Sequence, residues 1–203
     1  MQVHNVTADA ETFTCNAYLV EGDRTVLVDA GSMPGVVDAI ADHAEEIDAV
    51  VLTHQHGDHV AELDTVLDAY DPELLCYDDH PRRTRGISDG DTLRIGDEEF
   101  EAIYSPGHAD DHLAFVSETT IFSGDVVVYN DGAFDDGSFG RTDMAGQSRE
   151  ALIESLHAIL DALPDTVEAM YPGHGDEFHG DVREVVERAL ERAERREPKY
   201  PDE

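Results

Sequence analysis

Apolar positions in this 203-residue chain alternate between contiguous β-branched runs and helical spacing. TVLVDAG (25–31) and AVVLT (49–53) are contiguous runs ending at turn or polar residues, as buried strands do. QVHNVT, FTCNAYLVE, ELLCY, DTLRI, EEFEAIYS, HLAFVSE, TTIFSGDVVV and VEAMY also read as strands, with turn residues between them. Residues 34–44 begin with Pro34 and place Val36, Val37, Ile40 and Ala44 at helical spacing. Helices are likewise expected over 60–69, 148–162 and 181–195, the last with Val182, Val185, Val186, Ala189 and Leu190 on one face. Strands mixed with helices in both halves predict a sheet-centred, layered α/β (α+β) fold, with residues 1–203 forming a single domain. Residues 130–147 (NDGAFDDGSFGRTDMAGQ) have neither period, and an irregular stretch of that length is more often functional than filler.

Charge changes this picture more than composition does. There are 47 acidic residues against 13 basic ones, a formal −34, and Lys199 is the sole lysine. The acids are spread along every segment, so they form a coat over a folded domain, which repels itself until salt screens it. Acid excess with almost no lysine resembles the proteins of salt-accumulating microbes. The same balance argues against a nucleic-acid partner. The first residues lack a basic start followed by an apolar stretch, and no run is long enough to cross a bilayer, so a soluble cytoplasmic protein with no membrane partner is expected. Cys15 and Cys76 both lie in strand-like runs and read as buried thiols.

The candidate chemistry centres on THQHGDH (53–59). His54 and His56 directly follow a strand, and alternate side chains of an extended loop share a side, so both imidazoles can face one ion. Asp58 and His59 are displaced toward the following helix and suit a second ion. Histidine with carboxylate fits zinc, iron or manganese better than calcium. A lone histidine is usually a satisfied surface or core residue, but four potential ligands in six residues at a strand end are not accounted for that way. His108 in SPGH, Asp125 in SGD and His174 in YPGHG each follow an apolar strand and a turn, where a scaffold presents ligands. Together these make seven ligands, enough for two metals with coordination left for water.

In their order, LVDAG, THQHGDH, SPGH, SGD and YPGHG resemble the metallo-β-lactamase superfamily over essentially the whole chain. The resemblance implies an αββα four-layer sandwich with a dinuclear site along one sheet edge. It implies that His54, His56 and His108 hold one divalent ion and Asp58, His59 and His174 another. Asp125 would bridge them, and Asp29 would orient ligands. Zinc is the expected metal, with iron or manganese also suited. Asp58 and Asp125 would be the catalytic carboxylates around a shared hydroxide, whose chemistry suits a small-molecule ester, thioester, lactone or β-lactam.

The SPGHADDH, SGD, GRTD and YPGHG segments are similar to the small glyoxalase II-like members, the hydroxyacylglutathione hydrolases. Larger members add a basic helical region for the glutathione tail, whereas this chain stops soon after one helix, so the thioester of another thiol is equally suited. The rival is the mononuclear-iron persulfide dioxygenase, built on the equivalents of His54, His108 and Asp125. Dioxygenases tend to carry alanine at Gly173 and aspartate at Gly175, which favours the hydrolase. A ribonuclease Z-like nuclease would want basic surface, and a non-catalytic binding protein would have no reason to keep seven ligands. In the long loop, Phe134, Phe139 and Arg141 are candidate substrate contacts, Arg141 through its planar fork. His4, His43, His80, His157 and His179 read as surface residues, and His112 as a support for the site.

The acidic coat carries its own test. Thermal unfolding followed by circular dichroism should show a higher midpoint in molar KCl than in dilute buffer. A midpoint that is independent of salt would contradict self-repulsion by the coat.

Overall fold

The computed structural model describes residues 1–199, and residues 200–203 of the expected domain lie outside the described residues. Six strands build the first sheet in simple chain order: β1 (Gln2–Asn5), β2 (Tyr18–Glu21), β3 (Val26–Val28), β4 (Ala49–Val51), β5 (Glu73–Cys76) and β6 (Arg85–Gly86). β1–β3 pair antiparallel and β3–β6 parallel. The helices α1 (Val36–Ala41), α2 (Gly57–Val60) and α3 (Leu63–Tyr70) lie in its crossovers. The second sheet holds β7 (Thr92–Ile95), β8 (Glu98–Tyr104), β9 (Leu113–Val116), β10 (Thr120–Gly124), β11 (Ala169–Pro172) and β12 (Phe178–His179), with α4 (Arg149–Ala162) and α5 (Val182–Glu194) beside it.

Three apolar layers account for the contiguous runs. In β3, Val26 and Val28 face the second sheet, where they meet Phe100, Phe115 and Phe122, while Leu27 faces Ile40, Leu63 and Val66 on the helices outside. β4 repeats this with Ala49 and Val51 inward and Val50 outward. A strand covered on both faces needs apolar residues at every position. The second sheet is covered on its outer side by Leu152, Leu156 and Ile159 of α4 and by Val182, Val186 and Ala189 of α5. The result is the helix–sheet–sheet–helix sandwich.

Several boundaries differ from expectation. FTCNAYLVE forms a strand only over Tyr18–Glu21. Residues 13–17 run along the sheet edge instead, because the Asn16 amide donates to the Gly173 carbonyl (2.7 Å) and the Asn16 side chain to those of Pro172 and Gly175 (2.9 and 3.0 Å). The helix expected over 60–69 forms over Leu63–Tyr70 as α3, and the short α2 precedes it within the histidine loop. Both cysteines are buried and unpaired. Lys199 is buried, its ammonium bonded to the Phe139 carbonyl and to Asp131, which pins the C-terminal stretch to the long loop. No helix among the described residues is long and apolar enough to cross a membrane.

Strand direction decides where the chemistry collects. β9 is antiparallel to both β8 and β10, so β8 and β10 point the same way, and β11 is parallel to β10. His108, Asp125 and His174 therefore leave the second sheet at one edge. β3 and β4 are parallel too and deliver Asp29 and the 54–59 loop together. The two edges are stitched by Leu113 N–H donating to the Thr53 carbonyl at 2.8 Å.

Candidate metal centre

The histidine loop is held in place from below by Asp29. This residue is buried at a left-handed φ of 59°, an uncommon conformation for a residue with a Cβ, kept by the bonds around it. Its Oδ1 accepts from Thr53 N–H (2.8 Å), and its Oδ2 from the Thr53 hydroxyl (2.7 Å) and His59 Nδ1 (2.8 Å). Because Nδ1 of His59 faces the Asp29 carboxylate, Nε2 is the nitrogen that carries the lone pair when the ring is neutral. Because the Thr53 hydrogen is committed to Asp29, the Thr53 oxygen accepts from His54 Nδ1 at 3.1 Å, and Nε2 of His54 carries the lone pair as well. His108 follows the same logic: its Nδ1 donates to the Arg141 carbonyl at 2.9 Å, leaving Nε2 to face His56 Nδ1 at 2.9 Å.

The structure brings together all seven side chains singled out in the sequence. The ligand atoms of His54, His56 and His108 lie within 4.8 Å of one another, as do those of Asp58, His59 and His174. Asp125 stands between the two sets. Its Oδ2 is 3.3 Å from His108 Nε2 and 3.5 Å from His174 Nε2, and its Oδ1 is 3.5 Å from His59 Nε2. His174 Nε2 is 3.0 Å from Asp58 Oδ2. Gly173 leaves the room Asp125 occupies: a Cβ there would fall 2.2 Å from Asp125 Oδ1.

Three buried atoms of the centre have no hydrogen-bond partner among the described residues, namely His54 Nε2, His59 Nε2 and Asp125 Oδ1. Such atoms are costly unless something satisfies them. All three are lone-pair donors aimed into one space, so the residues fit divalent cations. Electrostatics agree. Burial pushes His59 and His174 down, yet neighbouring groups, Cys15, Asp29 and Asp125 for His59 and Asp125 and Asp58 for His174, outweigh it and hold both above the usual histidine range. Burial pushes Asp125 up, but His174, His108 and His59 hold it well below the carboxylate range. Without an ion, protons on imidazoles supply the positive charge that these carboxylates call for. His54, His56 and His108 are lowered by burial and by neighbouring imidazoles, which keeps them neutral and able to ligate.

A cavity of about 900 Å³ opens over the centre. Its walls include Phe13 and Met144, two of the few exposed large apolar residues, and neither was expected from sequence. Phe13 lies flat on His174, with ring centroids 5.0 Å apart and planes 14° off parallel. Arg141 also lines the cavity, with its fork paired to Asp143 at 2.9 and 2.5 Å.

Phe139 is not the substrate contact expected from the sequence. It is fully buried in the apolar layer under α4 and α5, with the Arg149 guanidinium 4.2 Å over its ring, and does not line the cavity. Phe134 sits under Arg192 in the same way, at 4.2 Å, and is likewise absent from the cavity wall. His112 is wholly buried beneath the centre: Nε2 accepts from Asp125 N–H at 3.0 Å, so Nδ1 carries the hydrogen and donates to Ser105 Oγ at 2.8 Å.

Residues 10–84 match the sequence family described as Metallo-beta-lactamase superfamily. A hydroxyacylglutathione hydrolase of Salmonella gallinarum is 34% identical over 108 residues, 51% of this chain and 43% of its own length. The match thus spans less than half the length of that relative. The structure of ETHE1 from Myxococcus xanthus superposes over 100% of this chain and 94% of its own, with TM-score 0.76 at 22% identity. TTHA1623, solved in a di-iron-bound form, matches over 86% and 93% of the two chains, with TM-score 0.67 and 27% identity. The chain has the metallo-β-lactamase fold.

Two outcomes are expected. Asp29→Asn should keep the fold by circular dichroism yet weaken metal binding roughly 10–100-fold in chelator competition, because His59 loses its anionic partner. Unchanged affinity would remove Asp29 from the centre. Burial and the neighbouring His108 push His112 down to about 3. The unfolded chain therefore takes up a proton near pH 6.5 that the folded chain refuses, and stability is lost as pH falls from 6.5 toward 3. In urea unfolding of metal-free protein, wild type should lose more stability over that window than His112→Gln, by on the order of 5 kcal/mol at pH 3. Parallel pH profiles would show that His112 is not held neutral.

Proposed function

We propose that this chain, carrying the metallo-β-lactamase fold, is a metal-dependent hydrolase of a small-molecule thioester or related ester, glyoxalase II-like in its chemistry. It would act as one domain over residues 1–203. One observation carries the reading: Asp125 stands between two sets of three ligands, in space that exists because residue 173 has no Cβ. His54, His56 and His108 would hold one divalent ion and Asp58, His59 and His174 the other, with Asp125 shared. Zinc suits the set, and iron or manganese is accommodated. Bound there, the ions would supply a water acidified to near-neutral pKa and a Lewis acid for the acyl carbonyl and the departing thiolate.

The chain's own residues would do the rest. Asp58, half-buried in the cavity wall with its Oδ2 3.0 Å from His174 Nε2, is placed to align the attacking water by accepting a hydrogen bond from it. Phe13 and Met144 offer apolar walls to the acyl group or the carrier arm. Arg141 stands at the same wall, where its pairing with Asp143 competes with any substrate carboxylate.

A second reading is the mononuclear-iron persulfide dioxygenase, with one iron on His54, His108 and Asp125, whose ligand atoms also converge here. Alanine at residue 173, frequent in that branch, would push Asp125 off its present position here. At Gly175, where φ is +80°, a Cβ would fall 2.0 Å from the Tyr129 carbonyl, so that branch's aspartate does not fit this backbone either.

Elemental analysis paired with two assays on one salt-equilibrated sample separates the readings. The hydrolase predicts at least two metals per chain and thiol release from S-lactoyl thioesters. One iron per chain with oxygen uptake on a persulfide would establish the second reading instead. On the hydrolase reading, Phe13→Ala should retain the metals and raise KM roughly 10-fold, the loss of about 1.4 kcal/mol of apolar contact. An unchanged KM would exclude that wall from substrate binding.

A further inference from the structure

Away from the cavity, one further set of metal-ligating side chains comes together among the described residues: His4, Glu21 and His43, with ligand atoms within 4.8 Å of one another. Three separate pieces of backbone bring them there. In the β1–β2 pair, His4 lies opposite Leu19 and Gln2 opposite Glu21, so His4 and Glu21 are diagonal neighbours on one face of the sheet. Leu19 packs in the layer with Ile40, so this face is the one that α1 covers. His43 follows α1, in a turn closed by its N–H donating to the Ile40 carbonyl at 2.9 Å. His4 Nε2 is 2.8 Å from Glu21 Oε1, and the His4 and His43 rings stack with centroids 4.0 Å apart.

We infer that His4, Glu21 and His43 form a peripheral metal site that takes a borderline divalent ion such as Zn²⁺ or Ni²⁺ from solvent. Two imidazoles and one carboxylate are the donor set that zinc uses when three protein ligands leave a position for water. The same softness selects against Mg²⁺ and Ca²⁺, which prefer all-oxygen shells. The side chains are open to a hydrated ion, His4 being 29% and Glu21 33% exposed. Ligands on one tetrahedral ion stand roughly 3.4 Å apart, as Zn–N bonds near 2.1 Å require, so these groups need only side-chain rotation to close on it. The coat of −34 raises the local cation concentration around every such cluster. Bound metal would fasten the β1–β2 hairpin to the end of α1, stabilising the folded chain by mass action. A hydrogen bond and a ring stack hold the cluster together without metal.

The test is equilibrium dialysis of the full chain against chelator-buffered Zn²⁺, then Ni²⁺, with metal counted by elemental analysis. Wild type is compared with His4→Ala, His43→Ala and the control His157→Ala, an exposed histidine that also neighbours a glutamate, Glu194, at 3.6 Å. Wild type and His157→Ala should each bind one equivalent more than either cluster variant. Paramagnetic Ni²⁺ should also broaden the His4 and His43 ring signals at the concentration where that equivalent fills. The comparison is a difference between variants, so it holds whether the cavity takes one ion, two or none. Equal stoichiometry in all four proteins, or sharp His4 and His43 signals at saturation, would overturn the site. His43 is exposed, so its removal leaves the core intact, and circular dichroism checks this.

Discussion

A buried carboxylate is the constraint around which this molecule is arranged. Asp125 is 4% exposed and ionised, and one of its oxygens has no hydrogen-bond donor among the described residues. Burying such a charge is tolerable only among compensating groups. Those groups arrive from both sheets: His59 from α2 after β4, His108 after β8 and His174 after β11. His112 holds the Asp125 backbone from beneath, and Gly173 keeps the neighbouring turn out of its way. The parallel and antiparallel choices in each sheet therefore have a chemical counterpart, since they aim every ligand-bearing strand end at one carboxylate.

Support in the centre is hierarchical. Asp29 bonds Thr53 and His59, Thr53 bonds His54, and the Arg141 carbonyl fixes His108. Each link settles which imidazole nitrogen is left bare. The long loop thus contributes through its main chain at Arg141 as well as through the side chain on the cavity wall. Its apolar residues Phe134 and Phe139 face the opposite way and attach the loop to α5 and to the layer beneath α4.

Layers, most strands and the ligand-bearing turns were legible because their signals are local. Contiguous β-branched runs mark strands covered on both faces, and histidines packed into the loop directly after such a run mark the sheet edge where ligands gather. What escaped was set by contacts distant in sequence. Asn16 looks like a strand residue until the 172–175 turn claims its hydrogen bonds. Phe13 and Phe139 are indistinguishable as residue types, yet one is 77% exposed beside His174 and the other fully buried under Arg149. No local pattern tells which aromatic in a loop faces solvent, because the choice is made by the helices that cover it.

Lys199 is the sole lysine, and its ammonium is folded inside against Asp131 and the Phe139 carbonyl. The outer surface consequently presents carboxylates and guanidinium groups but no lysine amine. Amine-directed coupling reagents would find no side chain to attach to on the folded protein, whereas carbodiimide chemistry would find attachment points all over it. For anyone wishing to tether or label this protein, the acidic coat is the handle.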